Sequence, residues 1–302
     1  MLIILEQVFT LFAFALAGYI VSKLRIVKAE HTQILSGLLV YVFSTCNVFN
    51  TFTKNFNVEY ISARWHIILI STVVTIILAI AARFATKFMS KEQYEQQVFE
   101  YSLVVPNVSY MGYALCESLM GLAALLDMVV YALPINIYIY TRGYSMLTKR
   151  GMSMKKLLNA FTVSMLIGAA VGMSGIRVPT VLMNIVEKSN SCMAPVSMLL
   201  MGITISEFKL RDLVSDKRAY LVSFLRLLVL PIAIGGVLSL FCPTAIVQVA
   251  VLLFAMPCGL NTIVFPKIVG ERCDMGASLA TISNVLACGT IPLVLTLFGI
   301  GA

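Results

Sequence analysis

Charge is scarce in this chain. Asp, Glu, Lys and Arg make up 12% of its 302 residues, about half the density of an ordinary soluble domain. With 60% hydrophobic residues and a mean hydropathy of +0.94, there is too little polar surface to clothe a water-soluble fold. The composition therefore predicts a polytopic membrane protein. Histidine occurs only at His31 and His66, both at the edges of apolar segments, where no chemical role is expected. Seven cysteines (Cys46, Cys116, Cys192, Cys242, Cys258, Cys273 and Cys288) stand singly, without a Cys-x-x-Cys pair or a neighbouring histidine. That spacing offers no zinc site, and no metal or other cofactor is expected. The thiols read as small buried hydrophobes, with Cys258 set apart because it directly follows a proline. A His-Glu-x-x-His motif, facing aspartate pairs and aspartate-rich runs are missing as well, which argues against an intramembrane enzyme. The net charge of +8 comes with no aromatic platform for nucleic acid. It fits instead the collection of Lys and Arg in cytoplasmic loops.

What the chain has in plenty is long apolar runs. A membrane span needs about 20 such residues. Ten are expected, near 3–22, 33–51, 65–86, 97–120, 122–142, 157–176, 186–206, 218–241, 244–266 and 276–299. The first lacks a basic leader and a small-x-small cleavage site and carries Glu6, so it reads as a retained span. With the N-terminus outside, 17 of the 22 Lys and Arg fall in inner loops and only Lys54, Arg64 and Arg177 in outer ones. The positive-inside rule then puts both termini on the extracytoplasmic side of the plasma membrane.

Two prolines break this pattern in matching places. Pro106 and Pro257 lie 151 residues apart, each in the middle of an apolar run. A helix-internal proline removes a donor and clashes with the preceding turn. Such breaks survive at membrane depth only where protein or a cavity satisfies the freed groups. Paired breaks in two halves point to the binding site of a secondary transporter. The halves also match at an offset of 150, where Gly18, Val21 and Ile26 align with Gly168, Val171 and Ile176. A repeat of five spans, an odd number, inserts its second copy upside down. The expected organisation is a first repeat over 1–146, a cytoplasmic linker over 147–156 and an inverted repeat over 157–302.

The breaks make an anion site from backbone alone. Half-helices starting near Asn107 and near Cys258 point their N-termini at the bilayer centre from opposite sides. Each carries roughly half a positive charge and unpaired N–H groups. No basic residue lies near the breaks in their own spans, and Asn107 and Asn261 add neutral donors. The substrate-binding candidates are Pro106, Asn107, Asn136, Pro257, Cys258 and Asn261. Asn136 and Asn284, 148 residues apart, are expected to flank the site, and Asn47 is a further polar group at depth. Helix-packing hydrogen bonds are the plainer role for these three. Glu117 and Asp127, near the outer ends of their spans, are candidates for a gate or for proton coupling, with interfacial solvation as the alternative.

At these residues the chain resembles the auxin efflux carrier family of plants and their bacterial relatives. Met256-Pro257-Cys258-Gly259-Leu260-Asn261-Thr262 is similar to that family's crossover motif, as is Pro106-Asn107-Val108-Ser109-Tyr110-Met111-Gly112. Ala194 to Gly202 and Asn136 to Gly143 match as well. The chain departs from the family at Thr45, where a proline is common, and at Ser109 and Ala114, where the first crossover often has glycine and proline. It also lacks the long cytoplasmic loop of many plant members. The resemblance implies an all-α membrane protein of ten spans, with crossing broken helices 4 and 9. This is the architecture of sodium/proton antiporters and bile-acid symporters. It further implies an elevator-like motion, small organic anions such as carboxylates as substrates, membrane lipid as surroundings and a homodimer. Coupling to protons or Na⁺ stays open. A cation/proton antiporter on a similar fold is the rival reading, but such exchange needs a mid-depth carboxylate, and the acids here sit near span ends.

Overall fold

The computed structural model describes residues 2–28, 32–149, 160–207 and 209–300. His31 and most of the expected 147–156 linker lie outside them. Every expected span is helical over most of its length. The order begins with α1 (Leu2–Lys23) and α2 (Thr32–Leu38), which runs through a π turn into α3 (Ser44–Asn55). Then come α4 (Val58–Arg64), α5 (His66–Met89) and α6 (Gln93–Val104). They are followed by α7 (Tyr113–Tyr131), α8 (Leu133–Tyr138) and α9 (Tyr144–Thr148). The second half holds α10 (Ala160–Ser174), α11 (Thr180–Ser206), α12 (Leu210–Leu213), α13 (Lys217–Phe224) and α14 (Leu230–Leu238). It closes with α15 (Thr244–Ala255), α16 (Asn261–Val269) and α17 (Asp274–Leu297).

By length and composition, four described helical runs suffice to cross a membrane: α5, α7, 217–238 and α17. α1 and α11 are continuous over 22 and 27 residues, whereas several other expected spans are cut into shorter pieces by π turns and proline breaks. The α7 run is itself interrupted at Gly121, whose φ of 82° and ψ of 178° belong to a region open essentially to glycine alone. That residue marks the boundary expected from the sequence between a span ending at 120 and one starting at 122.

Which face each helix buries reveals its solvent. The buried stripe of α5 is Ile67, Ser71, Thr75, Leu78, Ala82 and Thr86, four of the six small or hydroxyl-bearing. Leu69, Ile76, Ile77, Ile80, Phe84 and Phe88 all point outward, Phe88 with 93% of its surface exposed. Small and hydroxyl residues inside with large apolar ones outside is the reverse of a soluble helix. It is what lipid favours, because hydrocarbon accepts the large side chains and small residues let helices approach.

The helices form two groups. In one, α1 packs along α11, and α10 packs along α3, with α3 and α11 in contact. The first expected span of each half thus pairs with the second expected span of the other. Gly18 and Gly168, aligned in the sequence, occupy equivalent contacts: Gly18 faces the Leu199 backbone of α11, and Gly168 the Phe49 backbone of α3. In the other group α5 packs on α6, α7 and α8, while α15 packs on α7, α14 and α17. The groups meet where α3 touches α7, α11 touches 108–112 and α1 touches α17.

Ion pairs sort the loops by end. Lys149 meets Glu271 at 2.7 Å, Arg272 meets Glu92 at 2.8 Å, and Arg218 joins Glu95 to Asp216. These residues all lie in or beside loops expected inside. The Arg218 hydrogen bond holds the Asp216 carboxyl below the usual carboxylate range. Lys54–Glu187 at 2.6 Å and Arg64–Asp127 at 2.7 Å join segments expected outside. Exposed pairs add little stability, so their interest here is positional.

Candidate functional site at the crossed breaks

The two breaks form and meet as proline chemistry dictates. The residue before a proline avoids the helical region, and Val105 (φ −104°, ψ 107°) and Met256 (φ −67°, ψ 147°) are both extended. The extended segments then pair with each other, Pro106 opposite Cys258 in antiparallel sense. The Asn107 N–H donates to the Pro257 carbonyl at 2.8 Å. The Cys258 N–H donates to Ser283 Oγ at 3.1 Å. Groups freed by the prolines are thus satisfied inside the protein, as a hydrocarbon environment requires. Beyond the first break a π turn, Val108–Gly112, leads into α7. Beyond the second the helix resumes at Asn261 and not near Cys258 as expected, because the bridge to Pro106 holds Cys258 extended.

A cavity of about 20 Å³ lies against this seam. Pro106, Asn107, Asn136 and Asn261 line it together with Ser109, Ile135, Ile139 and Gly259, and among the described residues no acidic side chain does. Asn107 is 1% exposed, and among the described residues neither its amide oxygen nor its amide nitrogen has a hydrogen-bond partner. The Asn136 nitrogen likewise makes no hydrogen bond of good geometry, its electrostatic neighbour being the Tyr113 hydroxyl. Asn261 Nδ2 donates to the Tyr101 hydroxyl at 3.0 Å. The volume admits about one water, against roughly 300–1,000 Å³ for ordinary ligand pockets. This conformation is therefore closed around the three asparagines.

Four of the six substrate-binding candidates come together in this cavity. Pro257 and Cys258 form the seam behind it. Asn284 does not flank it: its Nδ2 folds back onto the Ala280 carbonyl at 2.7 Å within α17, because a buried amide on an uninterrupted helix finds the carbonyl one turn back. Asn47 donates to Asn190 Oδ1, and Asn190 Nδ2 lies 3.3 Å from Glu117 Oε1. This chain of polar groups links α3, α11 and α7 away from the cavity, at the contact between the two helix groups. Asp127 is held by Arg64 at 2.7 Å and by the Tyr60 hydroxyl at 2.9 Å. Cys116 and Cys258 are buried as expected, whereas Cys192 is exposed. In lipid an outward thiol costs little, since it behaves as a small apolar group.

Sequence reasoning missed Arg226. It stands in the π turn Leu225–Val229 between α13 and α14 and is 0% exposed. It donates to the carbonyls of Leu103 at 2.8 Å and Met256 at 3.2 Å. The breaks' own spans hold no nearby basic residue, but a third span supplies one. A lone arginine inside an apolar run was the available signal. Tyr101 and Asn190 were also missed, and neither carries a signal without its partner across the fold.

No curated protein matches the chain in sequence. The profile of a family described as membrane transport protein matches it over residues 3–159 and 152–295. Together with the crossed proline breaks, this establishes that the chain belongs to the membrane transport protein family, the family of the auxin efflux carriers, and is a multi-pass membrane transporter.

Proposed function

We propose that this transporter carries small organic anions such as carboxylates across the plasma membrane, by alternating access around the crossed breaks. The observation that carries the reading is Asn107, fully buried with both amide atoms unpartnered in a cavity it shares with Asn136 and Asn261. Leaving a buried polar group unsatisfied costs about 1–3 kcal/mol, and a bound ligand removes that cost. Helix N-termini converging on the same point favour a negative charge. Uptake into proteoliposomes of radiolabelled dicarboxylates and aromatic monocarboxylates tests this directly. Flux of either class above empty liposomes supports it, and flux of alkali cations against protons with no anion flux would overturn it.

The reading includes ten spans in two inverted five-helix repeats and an elevator-like motion. The exchanged pairing of α1 with α11 and α10 with α3, and the sorting of loop ion pairs to two ends, support the repeats. The division into two helix groups in contact supports the motion, as does a cavity too small to admit substrate until those groups or the breaks move apart. For orientation, a cysteine at the exposed position Lys91 is expected to resist an impermeant thiol reagent applied to intact cells. One at exposed Glu59 is expected to react. The reverse pattern would invert the topology.

Coupling, if protons drive transport, is assigned to Glu117. Asp127 is tied to Arg64, and Glu100 is clamped by Arg142 at 2.7 and 3.0 Å, so each already has a cationic partner. Glu117 is hydrogen-bonded to a neutral amide, that of Asn190, and among the described residues no cation pairs with it. Glu117→Gln is expected to flatten the pH dependence of uptake while Asp127→Asn leaves its shape unchanged. The opposite result would reassign the role to Asp127.

A further inference from the structure

Arg226 lies about 12 Å along its span from Arg218, at about 1.5 Å per helical residue. Both of its hydrogen bonds go to backbone carbonyls, its guanidinium carbon sits 5.5 Å from the Phe254 ring, and among the described residues no carboxylate pairs with it. A buried charge without a counter-ion is strongly unfavourable. What compensates it is the place of its two acceptors. Leu103 belongs to the last turn of α6, and Met256 directly follows α15, so both carbonyls stand at helix C-termini cut short by the proline breaks. Each such terminus carries roughly half a negative charge, and together they amount to about the one positive charge that the arginine brings.

The two helix N-termini beyond the breaks have no such partner. The helical run from 108 to 120 and the nine-residue α16 both begin beside the cavity, which contains no acid. Without Arg226, the C-termini on the other side of each break would offset much of their field. The buried, unpartnered Asn107 amide facing the same cavity independently offers a donor and an acceptor there.

We propose that Arg226 is a positioning residue that sets the sign of the crossover. By neutralising the two C-termini and tying them together, it leaves the N-terminal side of both breaks with a net positive field toward the substrate. It does this without touching the substrate. The proposal rests on the organic-anion reading of the cavity, and its test keeps the two separate.

Two measurements on purified full-length protein decide it, with Arg226→Gln and Arg226→Lys beside the wild type. The first is hydrogen exchange without ligand. Arg226→Gln is expected to raise exchange at 103–108 and at 256–261 together, and Arg226→Lys, which keeps the charge but loses the fork, to raise it less. Unchanged protection at either segment in Arg226→Gln would overturn the proposal, whatever binds. The second compares binding of benzoate with that of its neutral analogue benzamide. Arg226→Gln is expected to lose about 10- to 30-fold of the wild-type preference for the anion, the scale of a charge acting over roughly 8–12 Å at an effective dielectric near 20. Arg226→Lys is expected to keep most of it. An intact preference in folded Arg226→Gln would overturn the sign-setting role. A wild type with no preference for benzoate would overturn the organic-anion reading instead, and the exchange measurement then judges Arg226 by itself.

Discussion

Replacing Asn107 or Asn261 with alanine is expected to weaken binding of the transported anion by about 10- to 150-fold, the equivalent of a lost hydrogen bond to a charged group at 1.5–3 kcal/mol. The two variants are expected to differ in their effect on the empty protein. Asn107 has no partner to lose in the closed cavity, so Asn107→Ala relieves an unsatisfied amide and leaves thermal stability unchanged or higher. Asn261 donates to the Tyr101 hydroxyl, so Asn261→Ala removes a hydrogen bond from the empty protein and lowers stability by about 1 kcal/mol. Pro257→Ala belongs to a third class. It permits the preceding turn to regain helical hydrogen bonding, and so re-aims the seam on which Asn107 depends. Isothermal binding with thermal unfolding in the same detergent separates the three. Wild-type affinity in both asparagine variants would move the anion site elsewhere.

The largest effect on folding is expected at Gly202. A Cβ built there would lie 1.8 Å from the Ala15 carbonyl oxygen and 2.7 Å from the Tyr19 nitrogen, both backbone atoms of α1. No rotamer relieves a clash with backbone, so α1 and α11 must separate along the contact that Gly18 makes from the other side. Overpacking of this kind costs typically about 1–3 kcal/mol and occasionally more. Gly202→Ala is therefore expected to lower the unfolding temperature by several degrees, and Gly202→Leu to abolish recovery of folded protein. Gly236 provides the control. It lies within α14 with nothing near the position of its missing Cβ, and alanine there gains up to about 1 kcal/mol of helix propensity. Opposite signs for Gly202→Ala and Gly236→Ala would identify close approach as the cause; equal signs would refute it.

Membrane residence, the helical segments and the two breaks were legible without a structure, because each follows from local chemistry. A run of about 20 apolar residues has few alternatives to a span, and a proline inside one must break it wherever the rest of the chain goes. The clustering of Asn107, Asn136 and Asn261 was also legible, since paired breaks imply a meeting point. The pairing of Glu117 with Asn190 instead of the site, the capture of Asp127 by Arg64 and the retreat of Asn284 into its own helix were not. The first two depend on which neighbour comes within about 3 Å, where residues 63 and 73 positions apart meet; the third is a local bond to the carbonyl four residues back, chosen because no described group across the fold competes for the amide. The late restart of α16 at Asn261 likewise follows from a bridge between halves. Arg226 marks the same boundary most sharply. Its sequence context shows only a charge inside an apolar run, whereas its two acceptors, 123 and 30 residues away, come together because the breaks cross. The local sequence determined where the chain must span and where it must break; the tertiary structure alone decided which buried polar groups satisfy one another and which, like the Asn107 amide, do not.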